Sequence, residues 1–322
     1  MFTGTCRGVK ARTRRRGPAD GTVPEVDHPP TADETHGHGE RTDPLTGAVS
    51  WIVPGRQTRP FLPGDGCPFC PGGLEAPEPY EVRAFPNRWP PLPDRRAEIV
   101  LYTPEHEASF ADLSPAQARR VVDLWAERSA SLGARPDVAY VLVFENRGPE
   151  VGATIAHPHG QIYAFGSVPP AAAVELDGER SALGLGTAAP GDRLVATGPG
   201  GWRAWVPVAP VWPYELLLAP EAPVPDLPSL DDEGRDGLGL LLRDVVRRLD
   251  GLFSAPMPFM LWFHQRPFDG GDWPGAHLHV HVTPTLRARG VPRYVAAAEL
   301  GSGVYFDPVD PADAAAALRG AG

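Results

Sequence analysis

AHPHGQIYAF, residues 156 to 165, returns 120 residues later as AHLHVHVTP, residues 276 to 284, with His157 against His277 and His159 against His279. Residues two apart lie on the same face of an extended strand. His157, His159 and Gln161 therefore share one face, and Ile162 anchors the other. The echo is not confined to the histidines. LYTPEHEASFADLS (101–114) returns as LLAPEAPVPDLPSL (217–230), and VLVFENRGP (141–149) as MLWFHQRPF (260–268). The offset is 116 residues at the Pro-Glu pair and 120 at the histidine strands. A nearly constant offset over several elements marks an internal duplication.

Within each copy the local signals alternate. AEIVLYT (97–103) and AYVLVFE (139–145) are rich in β-branched and aromatic residues and read as strands. LSPAQARRVVDLWAERSASLG (113–133) reads as a helix. Ser114 is its N-cap and Pro115 takes the first helical position. Ala118, Val121, Val122 and Trp125 form the apolar stripe, and Gly133 ends it. GLLLRDVVRRLDGLF (239–253) supplies the second amphipathic helix. The expected fold is α+β: tandem duplicated domains whose antiparallel sheets are flanked by helices. The Pro- and Gly-rich stretch 187–201 reads as a loop at the junction. Residues 1–42 lack apolar periodicity and read as a disordered N-terminal extension, with His36 and His38 in a solvated tail. This leaves halves of 43–186 and 187–322.

Bulk composition bounds the function. The chain has 322 residues, 42% hydrophobic and 22% charged, with a net charge of −10. That balance argues against nucleic acid as a partner, since phosphate backbones are held by clustered Lys and Arg. No apolar run reaches the roughly 18 residues that span a bilayer, so no membrane partner is expected. The basic KARTRRR (10–16) is followed by polar residues, not by the apolar core of an export signal. Three cysteines cannot build a disulfide framework, and a cytoplasmic location with reduced thiols is expected.

Three constellations carry chemistry. Cys67 and Cys70, in CPFC, form a lone C-x-x-C that suits either a redox pair or half of a zinc site. A redox pair wants a helix N-terminus to lower the thiol pKa, whereas Pro71, Gly72 and Gly73 follow here. A zinc ion takes four N and S ligands, and His106 and His157 are candidates for the other two. His159 is a candidate nucleophile toward phosphorus, if a backbone carbonyl pins one ring nitrogen and leaves the other free. Gly160 would let a phosphate approach, and Gln161 would donate to a non-bridging oxygen without adding charge. In the second half His264, His277, His279 and His281 look like an imidazole metal cluster that Glu175 could complete.

From about residue 41 onward the chain resembles the galactose-1-phosphate uridylyltransferases of the histidine-triad superfamily. RTDPLTGAVSWIVPGRQTRP, CPFC, TPEH, FENRG, HPHGQ, WPYELLLAP, FHQRPF and HLHVH follow in the family's order. The resemblance implies two HIT-like domains and a ping-pong transferase of galactose metabolism. His159 would attack the α-phosphorus of UDP-glucose and release glucose 1-phosphate. Galactose 1-phosphate would then take UMP from the uridylyl-histidine, with Gln161 steadying the transferred group. Cys67, Cys70, His106 and His157 would hold structural zinc. Glu175, His264, His279 and His281 would hold a second metal, iron or zinc. Asn87, Trp89 and Asn146 would line the uridine site, and Arg56 and Arg59 would contact phosphate. A homodimer with sites shared between chains is also implied.

The chain departs from the family pattern at Arg88, where an acidic residue is common, and at Ala298, which stands for a tyrosine. VPRYVAAAELGSGVYF (291–306) keeps Glu299 for a sugar hydroxyl and offers Arg293 in place of a lysine. This tail is closer to a branch that includes ADP-glucose phosphorylases, which gives an alternative donor for the same histidine. Two further readings compete. A nucleotide-sensing metalloprotein would need no nucleophile beside Gln161. A nucleotide hydrolase would be expected to carry a third histidine as acid where this chain has an amide.

Overall fold

The computed structural model describes residues 39–58, 66–176 and 191–322. A hairpin of β1 (Gly39–Thr42) and β2 (Val49–Ile52) precedes the first half, which comprises β3 (Arg83–Pro86), β4 (Ala97–Leu101), α1 (Pro115–Gly133), β5 (Tyr140–Arg147), β6 (His159–Phe165) and α2 (Pro170–Leu176). The second comprises β7 (Leu194–Thr197), β8 (Trp202–Trp205), β9 (Leu216–Pro220), α3 (Asp232–Leu252), β10 (Phe259–His264) and β11 (His279–Pro284). The short pair β12 (Leu286–Ala288) and β13 (Val291–Pro292) leads to α4 (Ala297–Ser302) and α5 (Pro311–Gly320).

The repeat in the sequence is a repeat in space. Nine strands form one sheet in the order β3-β4-β6-β5-β10-β11-β9-β8-β7, and every neighbouring pair is antiparallel. Outward from the β5–β10 seam, β5, β6, β4 and β3 are answered by β10, β11, β9 and β8. The expected antiparallel sheets are thus fused into one, with Phe144 opposite Trp262 and Asn146 opposite Met260. Fusion satisfies the backbone N–H and C=O groups that two separate edges would have left unpaired.

α1 starts as the sequence indicates: the Ser114 hydroxyl accepts from the Gln117 amide at 3.1 Å, with Pro115 in the first turn. Ala118, Val121, Val122 and Trp125 are buried. Gly133 is the last helical residue, and Ala134 is the C-cap in right-handed conformation. The glycine is needed for packing instead, because a Cβ there would run into the Phe268 ring. α1 and α3 pack closely, and a Cβ on Gly239 would lie 3.3 Å from Ala118. Trp125 of α1 stacks on Phe110 at 5.8 Å and meets Phe263 of β10 at 5.1 Å. One core therefore serves both halves.

Two expectations are corrected. β1 takes up residues 39–42 of the stretch read as a disordered extension, and β7 lies inside the stretch read as a loop. Each strand finds its partner by pairing, with β2 and β8 respectively, which composition does not report. Residues 1–38, with His36 and His38, and residues 187–190 of the junction lie outside the described residues. Among the described residues, no helix is long and apolar enough to cross a membrane.

Candidate active site and metal centres

β6 presents the site through strict alternation: Gly160, Ile162 and Ala164 are buried toward the core, whereas His159, Gln161 and Tyr163 are half-buried on the other face. The register sets Ile99 of β4 and Phe144 of β5 beside Gln161. The resulting cavity, about 800 Å³, is lined by Arg56, Asn87, Trp89, Asn146, His159 and Gln161, all expected from the sequence. Arg59 lies outside the described residues. Arg88 also lines the cavity and adds a second guanidinium to that of Arg56.

The orientation of His159 follows from its hydrogen bond. Its Nδ1 lies 2.8 Å from the His157 carbonyl oxygen. A carbonyl only accepts, so Nδ1 carries the proton and Nε2 the lone pair. That is the pinned, nucleophile-ready tautomer. Gly160 has a different role from the one expected. A Cβ at that position would strike the Tyr102 hydroxyl and sit 3.2 Å from the Phe144 carbonyl, on the core side of the sheet. The glycine makes room for the core, not for phosphate.

Cys67, Cys70, His106 and His157 come together with ligand atoms within 4.8 Å of one another. Cys70 Sγ is 3.5 Å from His106 Nδ1 and 3.6 Å from His157 Nδ1. Zn–S and Zn–N bonds of about 2.3 and 2.05 Å at a tetrahedral angle give an S···N edge of about 3.6 Å, so this donor set fits zinc. No helix follows Cys70. Burial, then the neighbouring Cys67 thiol, pushes the Cys70 pKa up, opposite to what a redox thiol needs.

Glu175 of α2, from the first half, meets His264, His279 and His281 of the second within the same limit. His264 Nδ1 and His279 Nε2 both reach Glu175 Oε2, the latter at 2.9 Å, and His281 Nε2 is 3.4 Å from Oε1. Burial opposes ionisation of Glu175. Hydrogen bonds from His264, His279 and His281 outweigh it and hold the carboxyl well below its usual range. Burial also pushes His281 down to about 4, against the pull of Glu175 on its ring. A buried, neutral imidazole nitrogen aimed at a carboxylate and two further imidazoles fits a divalent metal. His277 stands apart: its Nε2 takes the Pro220 carbonyl at 2.9 Å, as His157 Nε2 takes that of Thr103 at 2.8 Å.

The structure does not bring Arg293 and Glu299 to this cavity. They form a buried ion pair at 2.5 Å, and the Glu299 carboxylate also accepts from the Ala296 and Phe306 amides. The Arg293 guanidinium, helped by the Phe306 and Ala296 amides, holds Glu299 down at about 2. An unfolded glutamate titrates near 4.3. The pair's contribution to stability is therefore present above that pH and is lost as pH falls toward 2. Glu299→Gln is expected to flatten the acid side of the curve of urea midpoint against pH. An unchanged curve would reject this role.

The sequence reading passed over the apolar wall. Phe69 of CPFC packs edge-on against His159 at 5.1 Å, and Phe144 against Tyr163 at 4.7 Å. Tyr163 follows by parity from Gln161 and could have been named; Phe69 and Phe144 depend on contacts between strands. Thr154, from the loop before His157, also lines the cavity.

Comparison with known proteins agrees with this geometry. Profiles for the N-terminal and C-terminal domains of galactose-1-phosphate uridyl transferase match residues 94–169 and 187–300. The galactose-1-phosphate uridylyltransferase of Streptomyces lividans is 39% identical over 282 residues, 79% of each chain. A solved uridylyltransferase structure superposes with a TM-score of 0.79 at 28% identity, covering 88% of this chain and 97% of that one. An ADP-glucose phosphorylase from Arabidopsis thaliana, solved with bound ADP-glucose, shares the fold with a TM-score of 0.70 at 24% identity, covering 87% of this chain and 98% of that one. With the two domain profiles in order along one duplicated sheet, and that relative alike over four-fifths of its length, the chain belongs to the galactose-1-phosphate uridylyltransferase family.

Proposed function

We propose that the chain exchanges UMP between UDP-glucose and galactose 1-phosphate through a covalent uridylyl-His159. The His159 Nε2 lone pair attacks the α-phosphorus, an N–P bond forms, and the bond to the departing glucose 1-phosphate oxygen breaks. A phosphate oxygen of galactose 1-phosphate then attacks phosphorus, and the N–P bond breaks to give UDP-galactose and neutral His159. The observation that carries this reading is the Nδ1 contact to the His157 carbonyl, which leaves Nε2 unprotonated beside a cavity holding two guanidinium groups. That carbonyl also favours the ring as it gains charge on bonding phosphorus. Gln161 is a neutral donor to a non-bridging oxygen, and Asn87, Trp89 and Asn146 hold the nucleoside.

Zinc on Cys67, Cys70, His106 and His157 supplies a structural cross-link, and the Glu175 set takes iron or zinc. Glu175 and its histidines do not line the cavity beside His159, which supports a structural role for them as well. Exposed Tyr294, Leu300, Val304, Tyr305 and Phe306 support a homodimer in which a second copy covers this segment. Sedimentation velocity at micromolar concentration should show a dimer; a monomer would remove the shared-site reading.

Intact mass after mixing with UDP-glucose, under mildly alkaline conditions, tests the intermediate. A UMP adduct in the wild type and none in His159→Gly is expected. An AMP adduct formed from ADP-glucose alone would replace UDP-glucose as donor and point to Arg88 as the reason. No adduct from either would overturn the covalent reading.

A further inference from the structure

The zinc-type set and the nucleophile are joined by a residue outside both, Tyr80. Its half-buried hydroxyl lies 2.7 Å from the Phe69 carbonyl, 3.1 Å from that of Thr103 and 2.9 Å from His157 Nε2. His157 Nε2 is itself 2.8 Å from the Thr103 carbonyl. A phenol has one proton, so its hydroxyl can donate fully to only one of the two carbonyls while it accepts from His157. A histidine that turns Nδ1 to a metal must carry its proton on Nε2. That Nε2–H donates to Thr103 O and Tyr80 Oη, and the phenol donates to Phe69 O, its shortest contact. Phe69 in turn packs against His159, and His159 donates to the His157 carbonyl.

We propose that Tyr80 is a positioning residue: its hydroxyl fixes His157 as the Nε2–H tautomer, with Nδ1 toward Cys70, and fastens the CPFC turn against His159. This rests on the reading of Cys67, Cys70, His106 and His157 as a zinc site. Partners that orient a metal-bound histidine typically contribute 10- to 100-fold to metal affinity. Tyr80→Phe keeps the ring and removes only the hydroxyl.

The test is the rate at which a chromogenic chelator strips zinc from the zinc-loaded protein, with zinc content followed in parallel. The Phe variant should lose the zinc equivalent assigned to Cys67 about 10- to 100-fold faster. Its melting temperature at saturating zinc should stay close to wild type. Release within twofold of wild type would overturn the proposal. Should the variant fail to fold, ¹⁵N-histidine NMR of the wild type decides. An Nε2–H signal on His157 with Nδ1 metallated supports it, and Nε2 metallation overturns it. If Cys67→Ser leaves the zinc content of the wild type unchanged, the zinc reading has failed and this proposal falls with it. Zinc lost from Cys67→Ser but held normally by Tyr80→Phe would overturn the role of Tyr80 alone.

Discussion

His159→Asn is expected to lower UMP transfer by more than about 10⁴-fold, the scale of losing a covalent nucleophile. UDP-glucose binding should stay within a few-fold of wild type. Asparagine is chosen because its amide N–H can still reach the His157 carbonyl that now holds Nδ1. The strand and the Phe69 contact side of the site are thereby disturbed as little as possible. What vanishes is the lone pair at Nε2. Turnover measured beside calorimetric UDP-glucose binding checks the split. A variant keeping more than about a hundredth of the wild-type rate would be incompatible with nucleophilic catalysis by this ring.

Cys67→Ser should remove one metal equivalent and cut kcat by at least about 100-fold, beyond the usual loss of an outer-shell partner. The turn carrying Phe69 is tied to two distant parts of the chain, Cys67 and Cys70 closing on His106 and His157. Loss of zinc frees His157, whose carbonyl orients His159, so a structural ligand has a catalytic consequence. Loss of a cross-link contributing a few kcal/mol would lower the melting temperature by about 3–6 °C in a chain of this size. Metal analysis, kcat and a thermal scan of one preparation measure all three effects. Full activity without the metal would refute the link from centre to nucleophile.

Much of this site was legible because its signals are local. The cap at Ser114, the β-branched runs and the repeated histidine strands each lie within a few residues. The duplication then placed His264, His279 and His281 together on adjacent strands β10 and β11. Candidate ligands were readable because few side chains can serve as such, but leaving His277 out of the second set was implied by the family resemblance, not by the residues. The aromatic wall was not, since Phe69 and Phe144 look like ordinary core residues until the strands are paired. Gly160 was misread for the same reason: the Tyr102 hydroxyl that demands a glycine belongs to another segment. Arg293 and Glu299 were assigned from the family's tail, and in this chain they satisfy each other.

The two ends of the nine-stranded sheet bear on colloidal behaviour. At one end β3 is four residues long and finishes in Pro86, which has no N–H to offer a neighbouring molecule. At the other, β7 is irregular between Leu194 and Ala196, and Arg319 of α5 reaches across to donate to the Leu194 carbonyl. Both margins are therefore poor templates for a strand from another molecule. Fibrillar stacking by sheet extension is suppressed at either end, and association is steered to the loops and exposed apolar side chains of the C-terminal segment.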